Sequence, residues 1–98
     1  MGKKILYFIS DEDKTGIELA LEQKDVEITI ALIQNAVYFA IKTNKSISEA
    51  LERNMNVIAC KEDVDIRGLN KMIFNKVKLC NYENLVDKII ENDSIINM

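Results

Sequence analysis

Apolar positions fall along this chain in short runs divided by polar segments. Ile5–Ile9 is a continuous β-prone run, the pattern of a strand buried on both faces. Ser10-Asp11-Glu12-Asp13 breaks it, and Thr15-Gly16-Ile17-Glu18 reads as a capping box at a helix start. Ile17, Ala20 and Leu21 share one helical face, which predicts a helix ending near Lys24. Val26 to Ile33 is rich in β-branched residues and predicts a second strand. Val37, Tyr38 and Ile41 then return to helical spacing, so a second helix is expected over Gln34–Thr43.

Ser46-Ile47-Ser48-Glu49 is another capping box and predicts a short helix over Glu49–Asn54. Asn56–Cys60 predicts a third strand. Lys61–Arg67 predicts a helical turn or two, stopped by Gly68 at a C′ position. Val77–Cys80 predicts a fourth strand. Tyr82–Glu91 predicts a last helix, capped by Asn81, with Leu85, Val86, Ile89 and Ile90 toward the core. The alternation of strand and helix implies βαβ units, hence an α/β fold with a mostly parallel sheet of about four strands and helices on both faces. Working residues in such sheets lie just past the carboxyl ends of the strands. Those positions are Ser10–Asp13, Gln34–Asn35, Cys60–Asp63 and Asn81–Tyr82.

With 98 residues and no repeat, linker or low-complexity segment, residues 1–98 are expected to form a single domain. The longest apolar stretch, Ile28 to Ile41, is interrupted by Thr29, Gln34 and Asn35. It falls short of the ~20 residues of a membrane span. Ile5–Ile9 is too short for a signal sequence and has no small-residue cleavage site behind it. Leu6 stands where a myristoylation signal would want Ser or Thr. No membrane association is expected.

The net charge of −3 does not mark a nucleic-acid binder. Histidine is absent, which removes Ser-His-Asp and Cys-His catalysis and histidine-based metal sites. Two cysteines remain, Cys60 and Cys80, too few for a disulfide framework and without CxxC spacing. A reduced, cytoplasmic protein is the simplest reading.

Four features could carry chemistry. Asp11-Glu12-Asp13 resembles the acidic cluster of a phosphoacceptor receiver domain. Such a domain also needs an aspartate ending the third strand, where Cys60 stands, and a later lysine where Asn81 stands. A solvated acidic turn ahead of a helix is the plainer account. The same loop offers the place of a phosphate cradle, but three carboxylates repel a phosphate and the glycine-rich run is missing. From Arg67 to Tyr82 the chain carries Arg67, Lys71, Lys76 and Lys78 without an acid. This segment is either a solvated surface or a docking patch for an acidic partner or an RNA backbone.

Cys60 is the sharper candidate. It closes a strand just before a helical turn, where backbone N–H groups lower a thiol's pKa. Lys61 would assist, whereas Glu62, Asp63 and Asp65 would oppose. The alternative is a small buried hydrophobe, and that is the reading preferred for Cys80.

Three segments carry a family resemblance. Ile30-Ala31-Leu32-Ile33-Gln34-Asn35-Ala36-Val37-Tyr38 resembles the "LLQDGV" segment of the DsrH/TusB proteins. Ala59-Cys60-Lys61-Glu62-Asp63-Val64-Asp65-Ile66-Arg67-Gly68-Leu69 resembles their "AL-x-EDL-x-x-RGL" segment, and Leu79-Cys80-Asn81-Tyr82-Glu83-Asn84-Leu85-Val86 their closing "IDY-x-x-FV". Asn35-Ala36 replaces the usual Asp-Gly. The resemblance spans about Val26 to Ile90.

The resemblance implies a three-layer α/β/α protomer of the DsrE/DsrF/DsrH type. It implies a subunit of a sulfur relay that passes persulfide sulfur between carrier proteins, toward 2-thiolation of the tRNA wobble uridine or in sulfur oxidation. DsrE/TusD subunits of such relays carry the persulfide cysteine in a pattern similar to C-x6-R-R-G or C-x7-G. Cys60, with Arg67 and Gly68, matches that spacing, so Cys60 is the expected sulfur carrier, with Lys61, Arg67 and Gly68 in support. DsrH/TusB subunits commonly hold another residue there and serve assembly, so a non-catalytic structural subunit is the second expectation. A thiol redox or binding module is the third. No metal or organic cofactor is required. The implied partners are sulfur-carrier proteins and DsrE/DsrF-like subunits in a homo- or hetero-oligomer, without direct tRNA contact. The tail Ile95-Ile96-Asn97-Met98 is a candidate interface if it is not packed inward.

Overall fold

The computed structural model describes residues 3–11, 13, 15–23, 26–41 and 44–97. Its elements run β1 (Lys4–Ile9), α1 (Thr15–Leu21), β2 (Glu27–Leu32), a 3-10 helix (Gln34–Ala40), α2 (Lys45–Glu52) and β3 (Asn56–Cys60). They continue with α3 (Lys61–Ile66), a 3-10 turn (Asn70–Met72), β4 (Lys78–Cys80), α4 (Tyr82–Glu91) and β5 (Ser94–Asn97). The sheet has five strands in the order β4-β3-β2-β1-β5, and every ladder is parallel.

Strand order explains the layering. From β1 to β4 the chain steps across the sheet in one direction, and right-handed crossovers keep those connections on one face. The step from β4 to β5 runs back past the whole sheet, so the same handedness puts α4 on the opposite face. Side chains sort accordingly. Tyr7, Ile9, Ile30, Leu32, Val57 and Ala59 meet Ile17, Val37, Ile47 and Val64 in the larger core. Leu6, Ala31, Ile58, Cys60 and Cys80 form a thinner core under Leu85 of α4. Burying one large aliphatic side chain stabilises the fold by about 1.5–3 kcal/mol, so most of the packing energy lies on the first face.

Several expectations change. The tail is a fifth strand, not a free end: β5 pairs with β1 from Ile5↔Ser94 to Phe8↔Asn97. Met98 lies outside the described residues, as do Glu12 of the acidic trio and the expected helix ends at Lys24 and Thr43. The segment from Gln34 is a 3-10 helix, entered through Gln34 at φ 50. α2 starts at Lys45, because Asn44 Oδ1 accepts from the Ile47 backbone N–H at 2.9 Å and takes the capping role expected of Ser46. The Asp13 carboxylate likewise accepts from the Thr15 backbone N–H at 2.9 Å at the start of α1. On α4 only Leu85 is buried, while Val86 and Ile90 are 54% and 75% exposed, so half of the expected apolar stripe faces outward. Gly68 closes α3 at φ 66, a left-handed conformation that glycine adopts without cost.

Candidate functional site

The connection leaving β3 stays on the larger-core side, and the connection leaving β4 crosses to the α4 side. Neighbouring strands whose chains depart to opposite faces open a crevice at their carboxyl ends, the place where α/β sheets hold their reacting groups. Cys60 ends β3 and Cys80 ends β4, so both cysteines lie at this crevice.

Cys60 is fully buried at the N-cap of α3. Its thiol donates to Glu62 Oε1 at 3.6 Å. Glu62 Oε2 accepts from the Tyr82 backbone N–H at 3.5 Å, which ties the starts of α3 and α4 together. The Tyr82 hydroxyl donates to the Asp63 carboxylate at 3.2 and 3.3 Å. Asp63 is buried and also accepts from the Gln34 backbone N–H at 2.7 Å. That bond offsets the left-handed backbone of Gln34, a conformation costing an ordinary residue roughly 1–2 kcal/mol. Arg67 reaches back from the end of α3. It donates to the Asp63 backbone oxygen at 3.2 Å, to Asn35 Oδ1 at 2.8 Å, and lies 3.7 Å from the Asp63 carboxylate.

Burial raises the pKa of the Cys60 thiol, and the Asp63 carboxylate pushes in the same direction. The Asp63 backbone N–H and the Tyr82 hydroxyl oppose them by favouring the thiolate. The net direction is upward, so the enclosed thiol rests protonated at neutral pH. The Tyr82 hydroxyl is pushed up to about 12, first by its hydrogen bond with Cys60 and then by burial.

Three of the four strand-end positions therefore meet: Gln34–Asn35, Cys60–Asp63 and Asn81–Tyr82. Asn35 supplies the oxygen to which Arg67 donates. Lys61 points away from the thiol and pairs with Asp65 at 2.8 Å on the exposed side of α3. The bridging role of Tyr82 was not readable from sequence, since residues 63 and 82 approach only through the β3–β4 register. Lys76 and Lys78 of the basic segment share a cleft with Lys88 beside Thr29 and Asn56, at the opposite end of the strands.

The family model described as DsrH like protein matches residues 6–95. The chain belongs to that family. Protein TusB of Buchnera aphidicola subsp. Baizongia pistaciae is 25% identical over 79 residues, covering 81% of this chain and 83% of that protein. Among solved structures, a conserved protein of unknown function from Bacteroides thetaiotaomicron superposes with a TM-score of 0.83 at 19% identity, covering 98% of this chain and 95% of that one. The ychN protein from E. coli superposes with a TM-score of 0.78 at 16% identity, and each chain is covered in full. These likenesses bear out the α/β fold of this DsrH-like chain. No helix among its described residues is long and apolar enough to cross a membrane.

Proposed function

We propose that the chain is a subunit of a protein-to-protein sulfur relay in which Cys60 receives and yields sulfane sulfur. The observation that carries this reading is the placement of Cys60 where β3 ends and α3 begins, in the crevice between β3 and β4, against the Asp63 backbone N–H and the Tyr82 hydroxyl. The Cys60 thiolate attacks the outer sulfur of a donor persulfide. A new S–S bond forms, the donor leaves as a thiolate, and Cys60 holds the persulfide. An acceptor cysteine then attacks that outer sulfur and Cys60 departs as the thiolate. Asp63, Arg67 and Asn35 hold the geometry, and Gly68 ends α3 where Arg67 can fold back over it. Partner docking that opens the crevice relieves the burial that keeps the thiol protonated. The likeness to a protein named TusB supports a relay subunit of the DsrH/TusB kind, serving either tRNA 2-thiolation or sulfur oxidation.

A second reading, a structural subunit that completes an assembly with DsrE- and DsrF-like partners, has its own support. Cys60 is fully enclosed, and Val86 and Ile90 of α4 expose apolar surface suited to a protein contact. One experiment decides between them. A Cys80→Ser protein, in which added sulfur can have one location, is incubated with a persulfide donor and mapped by peptide mass spectrometry. The carrier reading expects a gain of about 32 Da, one sulfur, on the Cys60 peptide and none after Cys60→Ala. An unmodified Cys60, under conditions that load a known carrier, leaves the structural subunit.

A further inference from the structure

Cys60 has a second thiol as its direct neighbour. In the β3–β4 ladder Cys60 is the register partner of Cys80. Register partners on parallel strands project to the same face, and both side chains belong to the thinner core under α4. Adjacent strands lie about 4.7–4.9 Å apart, within the roughly 4.4–6.8 Å Cα separation of a disulfide. Both sulfurs are free and buried, with Cys60 fully enclosed and Cys80 8% exposed. Cys80 ends a three-residue strand at the edge of the sheet, where small adjustments meet the least resistance. Twenty residues apart in sequence, the two thiols are brought side by side by the crossover alone.

We propose that Cys80 is the resolving thiol of Cys60 and discharges its sulfur as hydrosulfide, an inference that rests on the sulfur-carrier reading above. The Cys80 thiol gives up its proton and attacks the inner sulfur of Cys60–S–SH. A Cys60–Cys80 disulfide forms, the bond to the outer sulfur breaks, and hydrosulfide leaves with that proton as hydrogen sulfide. The outer sulfur gains two electrons and the two cysteine sulfurs lose them, so no external oxidant takes part. A thiol reductant restores the dithiol. The pair thus drains a loaded subunit whose acceptor has not arrived, and the same two thiols close directly with a two-electron thiol oxidant such as diamide.

The test has two arms. In the first, the dilute full chain is treated with diamide. The expected product has lost about 2 Da and yields a peptide linking Cys60 to Cys80, which reduction separates. Absence of that peptide, or disulfides only between chains, overturns the pairing. In the second, the wild type, Cys80→Ser and Cys80→Ala are loaded with polysulfide and released sulfide is measured. The wild type is expected to release about one sulfide per chain as the disulfide forms, while both variants retain about 32 Da on Cys60 and release none. Equal persistence of the added sulfur in all three overturns the release step. A Cys60 that takes up no sulfur in either variant removes the carrier reading and the release step together, and the diamide arm then judges the dithiol by itself.

Discussion

Tyr82 and Asp63 meet across the crevice, the tyrosine hydroxyl lying 3.2 and 3.3 Å from the two carboxylate oxygens, and so bind α4 to α3 beside the Cys60 sulfur. The ring is half exposed while the thiol beneath is fully buried, which makes Tyr82 a cover over Cys60. Tyr82→Ala is expected to speed alkylation of Cys60 by about tenfold, equivalent to about 1.4 kcal/mol less closure. Tyr82→Phe keeps the ring and is expected to preserve most of the shielding. Peptide-resolved alkylation rates distinguish the two, and an unchanged rate in Tyr82→Ala would show that the ring shields nothing.

Asp63 is both an anchor and an electrostatic brake. Its carboxylate accepts from the Gln34 backbone N–H and the Tyr82 hydroxyl, and its charge raises the pKa of Cys60. Removing the acceptor in Asp63→Ala leaves donors without partners, at a cost of about 2 kcal/mol in denaturant unfolding. Asp63→Asn keeps one oxygen and removes the charge. It is expected to lose less stability and to lower the Cys60 pKa, so the midpoint of a thiol alkylation profile moves to lower pH. A midpoint that stays in place or rises contradicts the assignment.

Enclosure of Cys60 also fixes the sign of a pH effect on stability. Burial raises its folded-state pKa above the ordinary thiol value of 9.0. Below that value both folded and unfolded thiols are protonated, and the contribution is fully present. As pH rises through it the unfolded thiol ionises first, the folded state binds more protons, and stability falls until the folded pKa is passed. Denaturant midpoints should therefore drop as pH rises above about 8, and drop less in Cys60→Ala. An equal loss in both proteins would assign the alkaline sensitivity to other groups, among them Tyr7, Tyr82 and Lys61, whose pKa values are also raised.

Helix starts show what the sequence could and could not reveal. The strand Asn56–Cys60, the stop at Gly68 and the Asn81 cap of α4 were legible, because each rests on local chemistry. The start of α2 was not. Asn44 and Ser46 are both good caps, and only the backbone placement decides that Asn44 bonds the Ile47 N–H. Asn44→Ala should cost about 1 kcal/mol, whereas Ser46→Ala, now within the helix, should stay within about 0.5 kcal/mol. Reversal of that order in thermal unfolding would restore the Ser46 box. The same limit hid the site network. Cys60 stood out by position, but its neighbours Tyr82 and Cys80 arrive through strand register, which a single sequence does not state.

The tail gives the most direct test of the topology. β5 lies beside β1, with Ile96 opposite Tyr7 and Ile95 opposite Leu6. Alternation along the strand sends Ile96 toward the larger core, where it packs partly buried, and leaves Ile95 42% exposed on the other face. Deleting residues 94–98 removes the β1–β5 ladder and the Ile96 contact, for a loss of about 2 kcal/mol from the apolar burial alone. It also turns β1 into an open edge, so the shortened protein should self-associate on warming. Ile95→Lys changes an exposed position and should shift stability by no more than about 0.5 kcal/mol. A tail serving only as a docking segment would behave in the opposite way, its deletion leaving the unfolding midpoint of the monomer unchanged while Ile95→Lys disrupted assembly.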